Sequence, residues 1–422
     1  MRILIHGINY SPELTGIGKY SGEMAEWLAA SGHEVRVVTA PPYYPQWHIA
    51  KGHTNRWHKE QVNMADNSAG VTVYRCPLWV PSKPSGLKRI LHLASFAVSS
   101  LPIMLLQVFW RPDMVMVIEP PLFCVPQAWL VARLSGGKAW LHIQDYEVDA
   151  AFALGLLKGA RLQQVVASGE RWLMRRFDRV STISQRMLAR ALSKGVAAER
   201  VVLFPNWVDL SAFTVSSSSV HLTNGVSRYR AELGIADKAL VALYSGNMGG
   251  KQGLEILAEV ARLCPEVVFV FCGQGAGRAE LMALCEGLVN VRFLDLQPLA
   301  RLGEFLAMAD IHLLPQRADA ADLVMPSKLT GILASGRPVI ATAHVGTELA
   351  DVVTGCGLVV EPENAFAFAE AINHLAQDAA LRSQLGTAGR AYAEAHLDKQ
   401  AVLARFEAAL LNLVDGADSI VV

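Results

Sequence analysis

The chain has 422 residues, 38 basic against 38 acidic side chains, and a hydrophobic share of 52%. That length exceeds one ordinary core and points to two domains of roughly 200 residues each, while the charge balance excludes the basic footprint of a nucleic-acid binder. The six cysteines, Cys76, Cys124, Cys264, Cys272, Cys285 and Cys356, are scattered without C-x-x-C pairs and several lie inside apolar runs, so they read as buried thiols in a reducing cytosol, with neither a disulfide framework nor a zinc site indicated.

Arg2-Ile3-Leu4-Ile5 is too short for the apolar core of a signal peptide, so no cleavable leader is expected. Short apolar runs then alternate with helical patterns, the signature of a doubly wound parallel sheet. Strands are expected at Ile3 to Ile8, Val35 to Thr39, Val71 to Arg75, Met114 to Ile118, Ala139 to Ile143, Arg179 to Thr182 and Val201 to Phe204. A helix is expected from Gly18 to Ser31, opened by "YSPELTGIGKY" and closed by Gly32. That glycine loop is not a P-loop, because Glu13 stands five positions before Gly18 and Tyr20 follows Lys19. It is not a dinucleotide fingerprint either, because Ser21 occupies the third glycine position. It reads either as a close-approach loop for an anion or as a plain turn.

The stretch "APPYYPQWH" forms a stiff aromatic loop after the second strand, with Tyr43, Tyr44 and Trp47 available for a sugar ring, a lipid headgroup or packing. Residues 90 to 110, "ILHLASFAVSSLPIMLLQVFW", are nearly long enough to span a bilayer, with Lys83, Lys88 and Arg89 just before them. His92, Ser95, Ser99, Ser100, Pro102 and Gln107 count against a span and favour a core or interfacial helix. In "LHIQDYEVDA", Asp145, Glu147 and Asp149 follow a strand end, where carboxylates can orient or deprotonate a hydroxyl, or cap the next helix.

The serine-rich "SAFTVSSSSVHLTNGVSRYR" reads as a linker, after which the alternation restarts. Strands are expected at Leu240 to Ser245, Val267 to Cys272, Val291 to Leu294, Ile311 to Leu314, Pro338 to Thr342 and Gly357 to Val360, followed by a helical stretch from about Ala365 to Val414. No short-period repeat is found. Two such domains imply a ligand cleft between them.

Three loops of the second domain suit phosphate. "LYSGNMGGKQGLEIL" places Gly246, Asn247 and Lys251 between a strand and a helix, and "VFVFCGQGAGRAEL" places Gly273, Gly275 and Gly277 likewise. In "VMPSKLTGILASGRPVIAT", Pro326 fits a first helical turn and Ser327 and Lys328 are anion-friendly, with Gly336 ending the helix.

Taken together, "PELTGIGKY", "GNMGGKQGLE", "CGQGAGR" and "MPSKLTGILASGRPVIA" resemble the retaining GT-B glycosyltransferases of family four, over essentially the whole chain. Through "GINYSPELTGIGKY", "TAPPYYPQW", "LHIQDYEVDA" and "FPNW" the likeness extends to the colanic-acid and related exopolysaccharide enzymes of enteric bacteria. The resemblance implies an α/β fold with two Rossmann-like doubly wound parallel-sheet domains facing across a cleft. Residues 1–208 would bind the acceptor, residues 209–395 would bind the nucleotide sugar, and the C-terminal helix 396–422 would cross back onto the first domain.

The same resemblance carries donor contacts onto Gly16, Gly18, Lys251, Gly275, Ser327 and Lys328; the phosphate-suited loops add Gly246, Asn247 and Gly273 as donor candidates, and the aromatic loop and strand-end carboxylates offer Tyr43, Tyr44, Trp47 and Glu147 for the acceptor. Asp145 and Lys251 are the expected catalytic groups. It implies hexose transfer from a nucleoside-diphosphate sugar, with GDP-fucose favoured, to a lipid-linked oligosaccharide. The enzyme would sit peripherally at the inner face of the cytoplasmic membrane, with no cofactor, no metal and no nucleic acid. Three departures stand out. The Glu-x7-Glu acids of the family fall at Leu323 and Gly331, its loop arginine at Asn247, and its acceptor-loop histidine at Gln144. A UDP-sugar 2-epimerase on the same plan, or a non-catalytic scaffold of a polysaccharide assembly complex, are the rival readings.

Overall fold

The computed structural model describes residues 1–13, 16–62, 70–82, 86–153, 159–213, 228–249, 252–318 and 326–416. Lys83, Lys251, Leu323 and most of the serine-rich linker therefore lie outside the described residues. The chain divides into two compact units, Met1–Pro205 with Leu403–Val422, and Asn206–Val402.

In the first unit, strands β1 (Arg2–His6), β2 (Glu34–Thr39), β3 (His58–Val62), β4 (Val71–Arg75), β5 (Met114–Glu119), β6 (Lys138–Ile143), β7 (Arg179–Thr182) and β8 (Val201–Leu203) form one sheet. Its order is β3-β4-β2-β1-β5-β6-β7-β8. Pairing is parallel throughout except between β3 and β4. The central strands are covered on both faces, so they are written as continuous apolar runs, and β5, MVMVIE, is buried at every position. The exception, β3, reads HKEQV and was not expected as a strand. It is an antiparallel edge whose charged residues discourage pairing with another chain.

The helix Ile17–Ala30 starts after Gly16 at φ 62 and gives way to Gly32 at φ 88, a left-handed position that suits glycine. The apolar segment 90–110 forms most of the helix Gly86–Leu106 and a short 3-10 turn, Gln107–Trp110. His92, Leu93, Phe96, Ser100 and Met104 face the core, whereas Leu87, Leu91, Val98, Leu101 and Leu105 are exposed. This helix with its turn is long and apolar enough to cross a membrane by length and composition.

In the second unit, β9 (Val241–Ser245), β10 (Val268–Cys272), β11 (Val291–Leu294), β12 (Ile311–Leu314), β13 (Val339–Thr342) and β14 (Gly357–Val360) form a wholly parallel sheet. The order is β11-β10-β9-β12-β13-β14, which reverses direction between β9 and β12. Such a switch point is where the carboxyl ends of an open sheet hold ligands. The helical stretch after residue 364 is three helices, Ala365–Gln377, Ala379–His396 and Lys399–Asp415. The breaks fall at aspartates that cap the next helix: Asp378 accepts the Leu381 N–H at 2.8 Å and Asp398 accepts the Ala401 N–H at 2.9 Å.

The last helix begins in the second unit, and its later residues pack in the first. Phe406 stacks on Phe204 at 4.3 Å between ring centroids and meets Trp140 edge-on. The Glu407 carboxylate accepts hydrogen bonds from Trp27 Nε1 and Ser31 Oγ, and pairs with His33 Nε2.

Candidate functional site

In the second unit, two of the three phosphate-suited loops are built on each other. The loop after β9 and the loop after β10 are joined by Gly246 N–H to the Cys272 carbonyl, Met248 N–H to the Gln274 carbonyl, and Gly277 N–H to the Met248 carbonyl, at 2.8–3.0 Å. Gly273 at φ 153 and Gly275 at φ 149 have positive backbone angles that favour glycine. A Cβ on Gly273 would run into the Gly246 carbonyl oxygen, and one on Gly275 into that of Met248. These two glycines therefore have a structural cause of their own, the contact of one loop with the other.

The third loop joins them through Lys328. Its Nζ donates to the Tyr244 hydroxyl at 3.0 Å and sits 4.2 Å from the centroid of that ring. A Cβ on Gly246, which adopts φ 142, would lie 3.4 Å from the Lys328 Cε and Nζ. Part of Lys328 remains in solvent, yet its ammonium end is desolvated, and that burial lowers its pKa to about 7. The Tyr244 hydroxyl in turn donates to the Asn247 carbonyl at 2.6 Å. Asn247 and Ser327 are exposed, and Ser327 precedes the helix Lys328–Ala334 without a side-chain cap bond. At Gly331, where the family's second acid would stand, an added Cβ would lie 3.1 Å from Leu306 Cδ1.

In the first unit, the buried Glu13 ties two loops together. Its Oε1 accepts the backbone N–H groups of Tyr43 and Tyr44, each at 3.0 Å, and its Oε2 accepts from Asn9 Nδ2 at 2.8 Å. Burial pushes its carboxyl pKa up, and the backbone N–H bonds oppose the rise. Arg75 fastens the same region, donating to the carbonyls of Ser11 and Ala40 and pairing with Glu60 at 2.8 Å. Gly18 has no room for a side chain, because a Cβ there would come within 2.6 Å of Glu13, whereas beside Gly16 there is open space. Tyr43 is buried, its ring edge-on to Trp47 and His92, while Tyr44 and Trp47 keep part of their surface in solvent. Trp47 holds φ 55, a left-handed angle uncommon for a bulky residue.

Past β6, Asp145 and Glu147 are half-buried. The Glu147 carboxylate accepts the Leu122 N–H at 2.9 Å, and burial raises its pKa. Asp149 is committed to Arg190 and Lys194 at 3.0 and 3.2 Å. Burial would raise its carboxyl, but the two cations outweigh it and hold it below its ordinary value. Gln144 donates its amide to His142 Nε2 at 2.9 Å, which leaves the Nδ1 proton of His142 directed to Ser181 Oγ at 2.9 Å. Burial depresses His142 to about 3, so the imidazole is neutral.

Two buried groups gave no signal in the sequence. Glu13 entered only as a mismatch to the P-loop, and Glu119, at the carboxyl end of β5, is fully buried. Among the described residues neither carboxylate oxygen of Glu119 has a hydrogen-bond partner. Burial first, and then the neighbouring Glu170 and Glu147, raise its pKa well above the ordinary glutamate value. Among the described residues no group of three or more His, Cys, Asp or Glu side chains is gathered to hold a metal ion.

Two families match this chain, the Glycosyl transferase 4-like domain over residues 15–207 and the Glycosyl transferases group 1 over residues 226–392. The chain is 47% identical over 417 residues to the putative colanic acid biosynthesis glycosyl transferase WcaI of Escherichia coli K12, covering 96% of this chain and 98% of that protein. It is also 27% identical to a GDP-mannose-dependent mannosyltransferase of Corynebacterium glutamicum that acts on a monoacylated phosphatidylinositol monomannoside, over 60% of this chain and 74% of that one. Among solved structures, sucrose-phosphate synthase of Thermosynechococcus elongatus aligns with a TM-score of 0.74 at 18% identity, covering 99% of this chain and 100% of the other. The lipopolysaccharide glycosyltransferase WaaG aligns at 0.63 and 18%, covering 95% and 98%. Anabaena HepE in complex with UDP and glucose aligns at 0.66 and 16%, covering 98% and 100%. At these identities the structural likeness establishes the fold, that of the GT-B enzymes.

Proposed function

The chain belongs to the group 1 glycosyl transferases with a 4-like first domain, and from that premise we propose that it moves a hexose from a nucleoside-diphosphate sugar to a lipid-linked oligosaccharide in exopolysaccharide synthesis of the colanic-acid kind. The observation that carries the donor half is the meeting of three loops at the sheet switch point of the second unit, with Lys328 held beside Gly246.

In this reading Lys328, Ser327, Asn247 and Lys251 bind the diphosphate, and the two cations stabilise the charge that develops as it departs. The bond between the anomeric carbon and the diphosphate oxygen breaks, the acceptor oxygen bonds to that carbon, and Asp145 receives the acceptor proton. Gly16 gives the loop after β1 its freedom to approach the substrates. Glu147, Tyr44 and Trp47 orient the acceptor, with Tyr43 packed behind them. GDP-fucose is the proposed donor, and the product keeps the anomeric configuration.

The acceptor's lipid places the reaction at the inner face of the cytoplasmic membrane. The helix Gly86–Leu106 supports peripheral docking there: the exposed stripe Leu87, Leu91, Val98, Leu101 and Leu105 runs beside Lys88 and Arg89, and the helix bears no acid. Sedimentation with vesicles containing phosphatidylglycerol checks it; Val98→Asp should release the protein, and undiminished binding would count against the stripe.

A thermal-shift panel of GDP-, UDP- and dTDP-sugars, followed by transfer assays with the sugar that stabilises, tests the function as a whole. GDP-fucose should raise the melting temperature most. A shift with GDP-mannose or a UDP-sugar alone would replace the donor, and no shift with any of them would overturn the transfer reading.

A further inference from the structure

Tyr244 occupies the penultimate position of β9, with its ring in the core of the second unit and its hydroxyl at the carboxyl edge of the sheet. Burial pushes that phenol's pKa up, so it remains protonated, and its one proton is given to the Asn247 carbonyl at 2.6 Å. The oxygen's lone pairs are thereby left to accept, and the donor that fills one is Lys328 Nζ at 3.0 Å. A single hydroxyl thus connects the loop after β9 to the lysine that opens the helix Lys328–Ala334. Nothing in the sequence pattern "LYSGN" distinguishes this tyrosine from a packing residue.

We propose that Tyr244 is a positioning residue for donor binding: its hydroxyl orients the Lys328 ammonium beside Gly246 and ties that placement to the conformation of the Asn247 peptide. This rests on the donor role given to Lys328 above. The role differs from packing, because the ring alone would fill the core while the hydroxyl does the orienting. An oxygen that accepts from Nζ favours the charged lysine, whereas desolvation favours the neutral one. Among the described residues Tyr244 is the titratable group placed against Lys328, and it is burial that depresses the lysine's pKa. Removing the hydroxyl therefore acts in two ways at once: the lysine loses its anchor, and its proton leaves at lower pH.

Calorimetric titration of the full chain with GDP, UDP and dTDP between pH 6 and 9 tests this, comparing the wild type with Tyr244→Phe. For the nucleotide that binds, wild-type affinity should fall as pH rises past the Lys328 pKa of about 7. In Tyr244→Phe, affinity at pH 6 should drop on the order of tenfold, and the midpoint of the pH profile should move downward. A packing role predicts an unmoved midpoint. If the wild type binds a nucleotide with the expected pH profile and Tyr244→Phe reproduces it in affinity and midpoint, the role of Tyr244 is overturned while the donor site stands. If the wild type binds none of the three, the donor site falls and the role of Tyr244 with it. Should Tyr244→Phe not fold, Tyr244→4-aminophenylalanine keeps the ring and a donor for the Asn247 carbonyl but removes the oxygen acceptor. It should show the same lowered midpoint, and a wild-type midpoint there would equally overturn the proposal.

Discussion

Glu13 fills the space that a side chain at position 18 would need: a Cβ placed on Gly18 would lie 2.6 Å from both the Glu13 Cβ and its Oε2. The "PELTGIGKY" loop therefore carries a glycine there for an internal reason. The carboxylate folds back under the loop to accept the Tyr43 and Tyr44 N–H groups, and so joins the glycine loop to the aromatic loop.

Gly18→Ala should consequently destabilise the protein by about 1–3 kcal/mol, the range for overfilling a packed site. The mechanism is checked by a double-mutant cycle with Glu13→Gly, which removes both the Cβ and the carboxylate that a side chain at position 18 would meet, read by urea denaturation. Glu13→Gly is costly alone because it strands two backbone N–H groups, but Gly18→Ala should cost less in its presence. Strictly additive losses would show that the crowding has another source.

Glu119 makes a statement about pH. Because burial and neighbouring carboxylates raise its folded pKa, the folded state keeps the proton over a range where the unfolded state has lost it. The contribution to stability is fully present below the ordinary glutamate pKa and is lost as pH rises toward the raised folded value. Glu119→Gln is near-isosteric and cannot ionise, so it should flatten this fall. Relative to wild type the variant should gain melting temperature between pH 5 and pH 8, and parallel pH profiles would mean that Glu119 is ionised in the fold.

How much of this was written locally in the chain depends on where each residue finds its partners. The buried parallel strands announced themselves because a strand covered on both faces is written as a near-continuous apolar run, as "MVMVI" is before Glu119. β3 did not, since an edge strand reading HKEQV satisfies its backbone on one side only and has no core face to reveal it. Loop glycines at strand ends marked the edge of the second sheet correctly, but not their cause. At Gly273 and Gly275 the close neighbour is the backbone of the loop after β9. Glu13 and Tyr244 were silent because their partners lie far along the chain, 30 and 31 positions from Glu13 to Tyr43 and Tyr44 and 84 from Tyr244 to Lys328, and Glu119 because it is set apart by its burial, which no local pattern shows.

That loop contact gives a graded prediction for the glycines. Gly275→Ala imposes both an unfavourable φ of 149 and a collision with the Met248 carbonyl, whereas Gly16→Ala imposes only its φ of 62 and points into open space. Melting temperatures should rank wild type above Gly16→Ala above Gly275→Ala, with Gly16→Ala losing about 1–3 kcal/mol because its φ 62 and ψ −144 suit glycine alone. A Gly275→Ala protein as stable as Gly16→Ala would show that the two loops yield to each other.

Lys328 should make donor binding take up a proton. With a pKa of about 7 in the free protein, most of its side chains are neutral at pH 8. A bound diphosphate favours the ammonium and moves the pKa back toward the ordinary lysine value. Below pH 6 the lysine is charged with or without ligand, so it takes up no proton; between about 7 and the bound pKa, binding draws one in and affinity declines by up to about tenfold per pH unit. Titrating the nucleoside diphosphate at pH 8 in Tris and in HEPES separates the effect, because the observed heats differ by the buffers' ionisation enthalpies multiplied by the protons taken up. Wild type should approach one proton, and Lys328→Met should show none and bind at least tenfold more weakly. Equal heats for the wild type in the two buffers would mean that Lys328 does not change its charge on meeting the diphosphate, and Lys328→Met binding as tightly as the wild type would remove it from the donor site.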